Sequence, residues 1–283
     1  MYEEAGNSNL LMLLNTAIYP FLVAVVLTLL LSKVNKTLAT IGLAAGFLTG
    51  LTLIHTGLNI PPSKALDFLT TTVLFGVIVS FTDASQLSTK LKNGILAIAL
   101  IASFYLLLNP VLKHQGQAIS ILWAVIAAVV TIAISGLQKL GASERYSHAP
   151  ALSLVIVAAT AAPVVSIGGS LLLGQLLGVF AASLGGLVLI QRFVWNTSST
   201  VTVLLGSFIL AGLLAQAHVL ADLPLWAMLI AYLALLINVG FGWIIKEDGT
   251  VVGTLKAIAP QIIVSGVIAG LSLWAVWPES SLY

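Results

Sequence analysis

Few side chains in this sequence have the chemistry to catalyse or to bind a metal, and their placement narrows what they can do. His55, His114 and His218 fall towards one predicted face of the protein and His148 towards the other. Three histidines on one face is a metal-binding composition, but their spacing matches no ligand motif, so no metal site is expected. A bis-histidine haem would need histidines at matching depths, which His148, in a polar loop, does not offer. Asp67, Asp83 and Asp222 border apolar runs rather than interrupt them, and no Asp, Glu, Lys or Arg lies near the middle of such a run. Intramembrane acids are the usual proton relays, so a proton pump or a carboxylate-dependent proton exchanger is disfavoured. No phosphate-binding loop, nucleophile elbow or zinc-protease motif occurs, and no enzyme is expected. The chain has no cysteine, which removes disulfides, thiolate-held zinc and iron–sulfur clusters. No cofactor is expected.

The polar groups that remain inside apolar runs are hydroxyls, amides and backbone carbonyls opened by proline. "NTAIYPF" carries Thr16, Tyr19 and Pro20, and "ATAAPVV" carries Thr160 and Pro163. Each proline leaves a carbonyl one turn back without its helical donor, a group able to hold a cation or a solute donor if it lines a cavity. Thr70 and Thr72 lie in "TTTVLFG", Thr200 and Thr202 in "TVTVLLG", and Asn109 and Asn238 end two further apolar runs. A lipid-facing amide costs several kcal/mol of unmade hydrogen bonding, so these residues are expected to face the interior. There they either line a path for a solute or join helices to each other. These eleven residues are the candidate substrate-path set.

The elements that position them follow from composition. The chain is 59% hydrophobic and 7% charged, with mean hydropathy +1.12. A soluble domain carries about 25% charged residues. Apolar runs of about 20 residues recur along the chain, the length of a helix crossing the hydrocarbon core. The alternating ten-residue pattern of barrel strands is absent, and in lipid a helix satisfies its own backbone. The fold class expected is an all-α polytopic membrane protein of about ten transmembrane helices. They run roughly over 10–31, 38–58, 66–82, 94–112, 118–137, 150–167, 170–190, 200–221, 225–245 and 256–277.

With the amino terminus outside, the inner loops hold Lys33, Lys36, Lys90, Lys92, Lys139, Arg145, Arg192, Lys246 and Lys256, and the outer loops only Lys64 and Lys113. That asymmetry satisfies the positive-inside rule and places both termini outside. Trp226, Trp274 and Trp277 then form an outer aromatic belt, with Trp243 at the inner interface. The acidic opening "MYEEAGNSNLL" lacks the basic n-region of a signal peptide, so the first run is expected to be a retained helix.

Two echoes suggest duplication. "TTTVLFG" (Thr70–Gly76) and "TVTVLLG" (Thr200–Gly206) share five of seven residues, 130 positions apart. Gly94–Asn109 and Leu223–Asn238 share seven of sixteen at an offset of 129. Both pair span n with span n+5. Five spans per half is odd, so the second copy enters in the opposite sense, giving an inverted repeat of halves 1–140 and 141–283. Such repeats are typical of secondary transporters, with the site near the midplane at broken helices.

The expected function is therefore a small-solute secondary transporter or facilitator of the bacterial cytoplasmic membrane. The alternative is a cofactor-free structural subunit of a larger membrane complex. "GLAAGFLTG" (Gly42–Gly50) and "GQLLGVFAASLGG" (Gly174–Gly186) space glycines four apart and predict close helix packing, internal or between subunits. The partners expected are the lipid bilayer and, through such faces, membrane proteins or a second copy. Net charge +2 argues for no nucleic acid. "GASERYSHAP" (Gly141–Pro150), with Glu144 and Arg145, reads as a solvated inner linker.

Overall fold

The computed structural model describes residues 9–59, 62–141, 148–195, 200–241 and 250–277. The expectations on Glu144, Arg145, Trp243 and Lys246 lie outside these. Every described element is helical. We number the apolar helices α1 (Asn9–Ser32), α2 (Leu38–Ile54), α3 (Phe68–Ala84), α4 (Thr89–Leu112), α5 (Gln117–Gly141), α6 (Ala149–Gly168), α7 (Leu171–Ile190), α8 (Thr200–Leu220), α9 (Leu225–Phe241) and α10 (Val251–Val276). Seven of them, α1, α4, α5, α6, α7, α8 and α10, are long and apolar enough to cross a membrane. The other three are shorter apolar helices.

α8 is the hub. A helix that is apolar all round has no face to give to solvent and is enclosed on all sides. Every residue of 201–214 is buried, and α8 packs on α3, α4, α5, α6, α7 and α9. Its few polar side chains fasten it to its neighbours. The Ser80 hydroxyl of α3 donates to the Val201 carbonyl at 3.3 Å. Gln191, just past α7, donates to the Thr202 hydroxyl at 2.8 Å. The Gln216 amide reaches the Ala65 carbonyl at 2.7 Å and ties down the loop before α3. In that loop the fully buried Asp67 accepts from the Ser63 and Lys64 backbone N–H groups at 3.1 and 2.9 Å.

The glycine patterns mark an internal seam. A Cβ on Gly46 would stand 2.7 Å from the Pro20 carbonyl oxygen and 2.9 Å from both Ala24 Cβ and Ser183 Oγ. Gly42 is as tight against Thr28 and the Ala24 carbonyl of α1, and Gly50 is tightest against Val179 of α7, with Pro20 Cγ of α1 at 3.0 Å from an added Cβ. Glycines four apart thus let α2 lie against α1 and α7 at backbone distance. Gly178 meets Thr16 and Gly186 meets the Phe21 carbonyl from the other side. Phe47 and Phe180 close the seam edge to face, with centroids 6.5 Å apart.

α1 begins irregularly. Residues Leu14–Ile18 form a π-helical turn, and the Tyr19 N–H bonds back five residues to Leu14. The wide turn absorbs the misfit of Pro20, whose ring has no N–H to give and crowds the carbonyl four residues back. Pro110, Pro163 and Pro260 lie inside α4, α6 and α10, which continue through them. α9 is interrupted by a 3₁₀ turn at Ala234–Leu236, and Gln138 of α5 donates to the Leu235 carbonyl there at 3.5 Å.

Of the five helix pairs that the expected repeat would relate, two pack together, α3 on α8 and α2 on α7. Each half also opens with a tight hairpin, α1–α2 and α6–α7. Further out the halves differ. α10 lies along α6, whereas α5 packs on α4, α8 and α9.

Candidate functional site: a cavity between four helices

A cavity of about 350 Å³ opens between α4, α5, α8 and α9. Each helix contributes one face at three- and four-residue spacing. α5 gives Trp123, Ile126, Ala127, Val130 and Thr131, and α8 gives Ala211, Leu214, Ala215, His218 and Val219. Three of the lining residues, Ala127, Ala211 and Ala215, are small and leave room that larger side chains would fill. Its size falls within the range of small-molecule sites, which are mostly apolar with a few placed polar groups.

The polar groups sit at two depths. At the mouth are His218 and Asp222, where α8 ends and turns into α9. The Leu223 carbonyl lies 2.7 Å from His218 Nδ1. A carbonyl only accepts, so Nδ1 carries the proton and Nε2 is left as an acceptor. The indole of Trp123 lies beside the imidazole, with ring centroids 6.3 Å apart. Asp222 is exposed and makes no ion pair with any described residue. Its φ is +49°, and the Leu223 N–H closes on the Ala217 carbonyl at 3.2 Å, a helix end usually completed by glycine. An Asp there costs on the order of 1 kcal/mol relative to Gly. At the floor, seven residues along α9 from Leu225, is Tyr232, only 5% exposed. Its hydroxyl is buried beside Thr131 without a hydrogen bond of ordinary geometry, while the Thr131 hydroxyl donates to the Ala127 carbonyl of its own helix at 2.8 Å. Between the two depths the wall is apolar: Phe104, Leu108, Val111, Met228 and neighbours. Ile126 and Leu229, 43% and 37% exposed, mark an opening between α5 and α9.

The residues singled out in the sequence lie elsewhere. Thr70 and Thr72 donate to the carbonyls of Asp67 and Phe68, at 2.6 and 3.1 Å, and Thr72 also accepts from Ser103 at 2.9 Å. Thr202 is held by Gln191, and Thr200 is exposed at the start of α8. Asn238 donates to the Ala149 carbonyl at 3.1 Å and to Ser153, pinning α9 to α6. Thr16 faces Gly178, with its hydroxyl buried and unpartnered, and Pro20 is buried in the glycine seam. Tyr19 is exposed on the outside of α1. Asn109 lies one residue from the cavity wall, its side-chain oxygen buried without a partner. Thr160 donates to the Ile156 and Val157 carbonyls at 2.9 and 3.1 Å and lines a narrow crevice between α6, α9 and α10, with Ser265 and Ser272. Pro163 borders neither opening.

The sequence carries no pointer to Trp123, Thr131 or Tyr232, which come together only through folding. His218 and Asp222, four apart at one helix end, are its one legible trace of the site. Two polar ends and an apolar middle make a receptacle for a molecule that is itself polar at both ends. Fold and composition together define an α-helical integral membrane protein with a polar-ended internal cavity. No protein-family model matches the chain, and no curated protein is detectably similar to it in sequence.

Proposed function

We propose that the protein is a small-solute secondary transporter or facilitator, and that its solute occupies the α4/α5/α8/α9 cavity. The observation that carries this is the cavity itself, which holds unpaired polar groups at two depths inside an otherwise apolar bundle. In this reading all ten helices span, both termini lie outside, and the membrane is the bacterial cytoplasmic membrane. The three shorter helices of 17 residues reach about 25 Å at 1.5 Å per residue, enough for a locally thinned bilayer. The lysine and arginine distribution, the two sequence echoes and the α3–α8 and α2–α7 pairings support inverted halves.

The test is uptake by reconstituted vesicles, screened with a panel of labelled small solutes. Ala127→Trp and Ala215→Trp fill the cavity from opposite walls. Each is expected to abolish uptake of whichever solute is transported. Full uptake by both variants would refute the path.

A second reading, a structural subunit of a larger membrane complex, is favoured by α1, which leaves almost its whole outer face bare. Purification from the native host in mild detergent separates the two. A stoichiometric set of partners supports the subunit, and a lone chain or homodimer supports the carrier.

A further inference from the structure

We infer that the cavity selects a small bipolar organic cation: an amine on an apolar body, with a second hydrogen-bonding group about 10 Å away. That span is the rise of seven residues of α9 at 1.5 Å each, from Leu225, where the helix begins three residues after Asp222, to Tyr232. The inference rests on the carrier reading for the solute's being transported, while its binding is tested on its own.

The charge of the lining sets the sign. Asp222 is the one acidic residue among the lining side chains, and none of them is Lys or Arg. Lys113 stands one residue past Leu112 of the wall, outside the lining, and makes no ion pair with Asp222. The mouth adds two further features that suit an ammonium group. His218 Nε2 is an acceptor, because Nδ1 is committed to the Leu223 carbonyl. The indole of Trp123 supplies a π face beside it. An anion would meet the Asp222 carboxylate and the His218 lone pair there, with no cationic side chain in the lining to offset them.

Two independent observations indicate that these groups are placed for a ligand. Asp222 occupies a left-handed position open to Gly, Asn and Asp alike, so the backbone does not by itself call for a carboxylate. Tyr232 buries its hydroxyl beside Thr131 among the lining residues, without a hydrogen bond of ordinary geometry. A buried hydroxyl so weakly satisfied is costly, and a ligand donor or acceptor reaching it would satisfy it.

The experiment uses the full chain in lipid nanodiscs and four probes of one shape: 4-(4-hydroxyphenyl)butylamine, 4-phenylbutylamine, 4-phenylbutanol and 4-phenylbutyrate. Binding is followed by calorimetry against empty nanodiscs, which removes partition into lipid. The hydroxyphenyl amine is expected to bind tightest. 4-Phenylbutylamine should bind about tenfold more tightly than the alcohol, as for one charge-assisted contact at a half-exposed site, and the butyrate weakest. Asp222→Asn should erase the amine's advantage over the alcohol, and Tyr232→Phe the advantage of the phenol. Asp222→Gly relieves the left-handed backbone, so it should keep or raise thermal stability and still lose amine selection. A merely structural Asp222 would not behave that way.

Equal binding of amine, alcohol and butyrate, or amine selection that survives in both Asp222 variants, overturns the inference. So does a cavity that binds none of the probes until lipid is stripped, because its occupant is then an acyl chain. Selective amine binding without uptake into vesicles overturns the carrier reading and leaves the site standing. Uptake of a neutral solute with no amine selection does the reverse.

Discussion

Gly46→Ala tests the seam on which the bundle is assembled. The added methyl would sit 2.7 Å from the Pro20 carbonyl oxygen, and 2.9 Å from Ala24 Cβ and Ser183 Oγ. Ordinary contact begins near 3.4 Å, so α2 must withdraw by about 0.7 Å from a backbone atom that has no rotamer to escape into. A radial gap of about 0.5–1 Å forfeits a quarter to a half of each dispersion contact it opens. Because α2 meets α1 and α7 together, both contacts loosen at once. The expected cost is about 1–3 kcal/mol, the usual range for overpacking. Gly266→Ala is the internal control. Gly266 is exposed on α10 with nothing within 4 Å of an added Cβ, and alanine there gains up to about 1 kcal/mol of helix propensity. Thermal midpoints in detergent, read by loss of the monodisperse peak on size-exclusion chromatography, should fall for Gly46→Ala and hold or rise for Gly266→Ala. Equal midpoints would refute the claim that glycine spacing sets the approach of α2.

Thr202→Val removes the hydroxyl that accepts from the buried Gln191 amide. It should lower stability by about 0.6 kcal/mol and at most about 1.7, as for other interhelical hydrogen bonds in membranes. A loss of transport without any loss of stability would instead return Thr202 to the path. The acid limb of stability should show two phases. Burial, and behind it the nearby Arg192, holds His148 below its ordinary value of 6.5. The unfolded chain therefore binds the proton first, and stability falls as pH drops below about 6.5. Burial raises Asp67, but the Lys64, Ser63 and Asn59 backbone donors, helped by His55, outweigh it and hold its carboxyl below 3.8. Its contribution is present above that value and is lost as pH falls further. In pH-dependent denaturation, His148→Gln should flatten the first phase and Asp67→Asn the second. A profile with one phase unchanged by either would contradict the assignment.

The class of protein was legible in composition, because bilayer-length apolar runs admit one backbone solution. The helical segments were legible for the same reason. Packing was legible where small residues recur four apart, since Gly42, Gly46 and Gly50 announce a seam before its partners are known. The cavity was not. Ala127, Ala211 and Ala215 of two helices line it, and alanine is too common in apolar helices to signal anything. Tyr232 and Thr131 meet across about a hundred residues. The threonines drew notice as rare polar groups, but a helical threonine can satisfy itself on its own backbone, as Thr70, Thr72 and Thr160 do. Thr72 and Thr202 are buried, as expected of polar groups in apolar runs, whereas Tyr19, on α1, and Thr200, at the start of α8, are exposed and correct that expectation.

Because the chain contains no cysteine, single cysteines can be placed in it without background. Ala215→Cys on the cavity wall, and Thr72→Cys and Thr202→Cys in the seams between helices, should be expressed in vesicles. Each is then exposed to a membrane-impermeant maleimide. The cysteine at 215 should react from one side of the membrane and be protected by bound solute, while those at 72 and 202 stay inert. Labelling at 72 and 202 with none at 215 would contradict a path through the cavity, and would put it through the threonines instead.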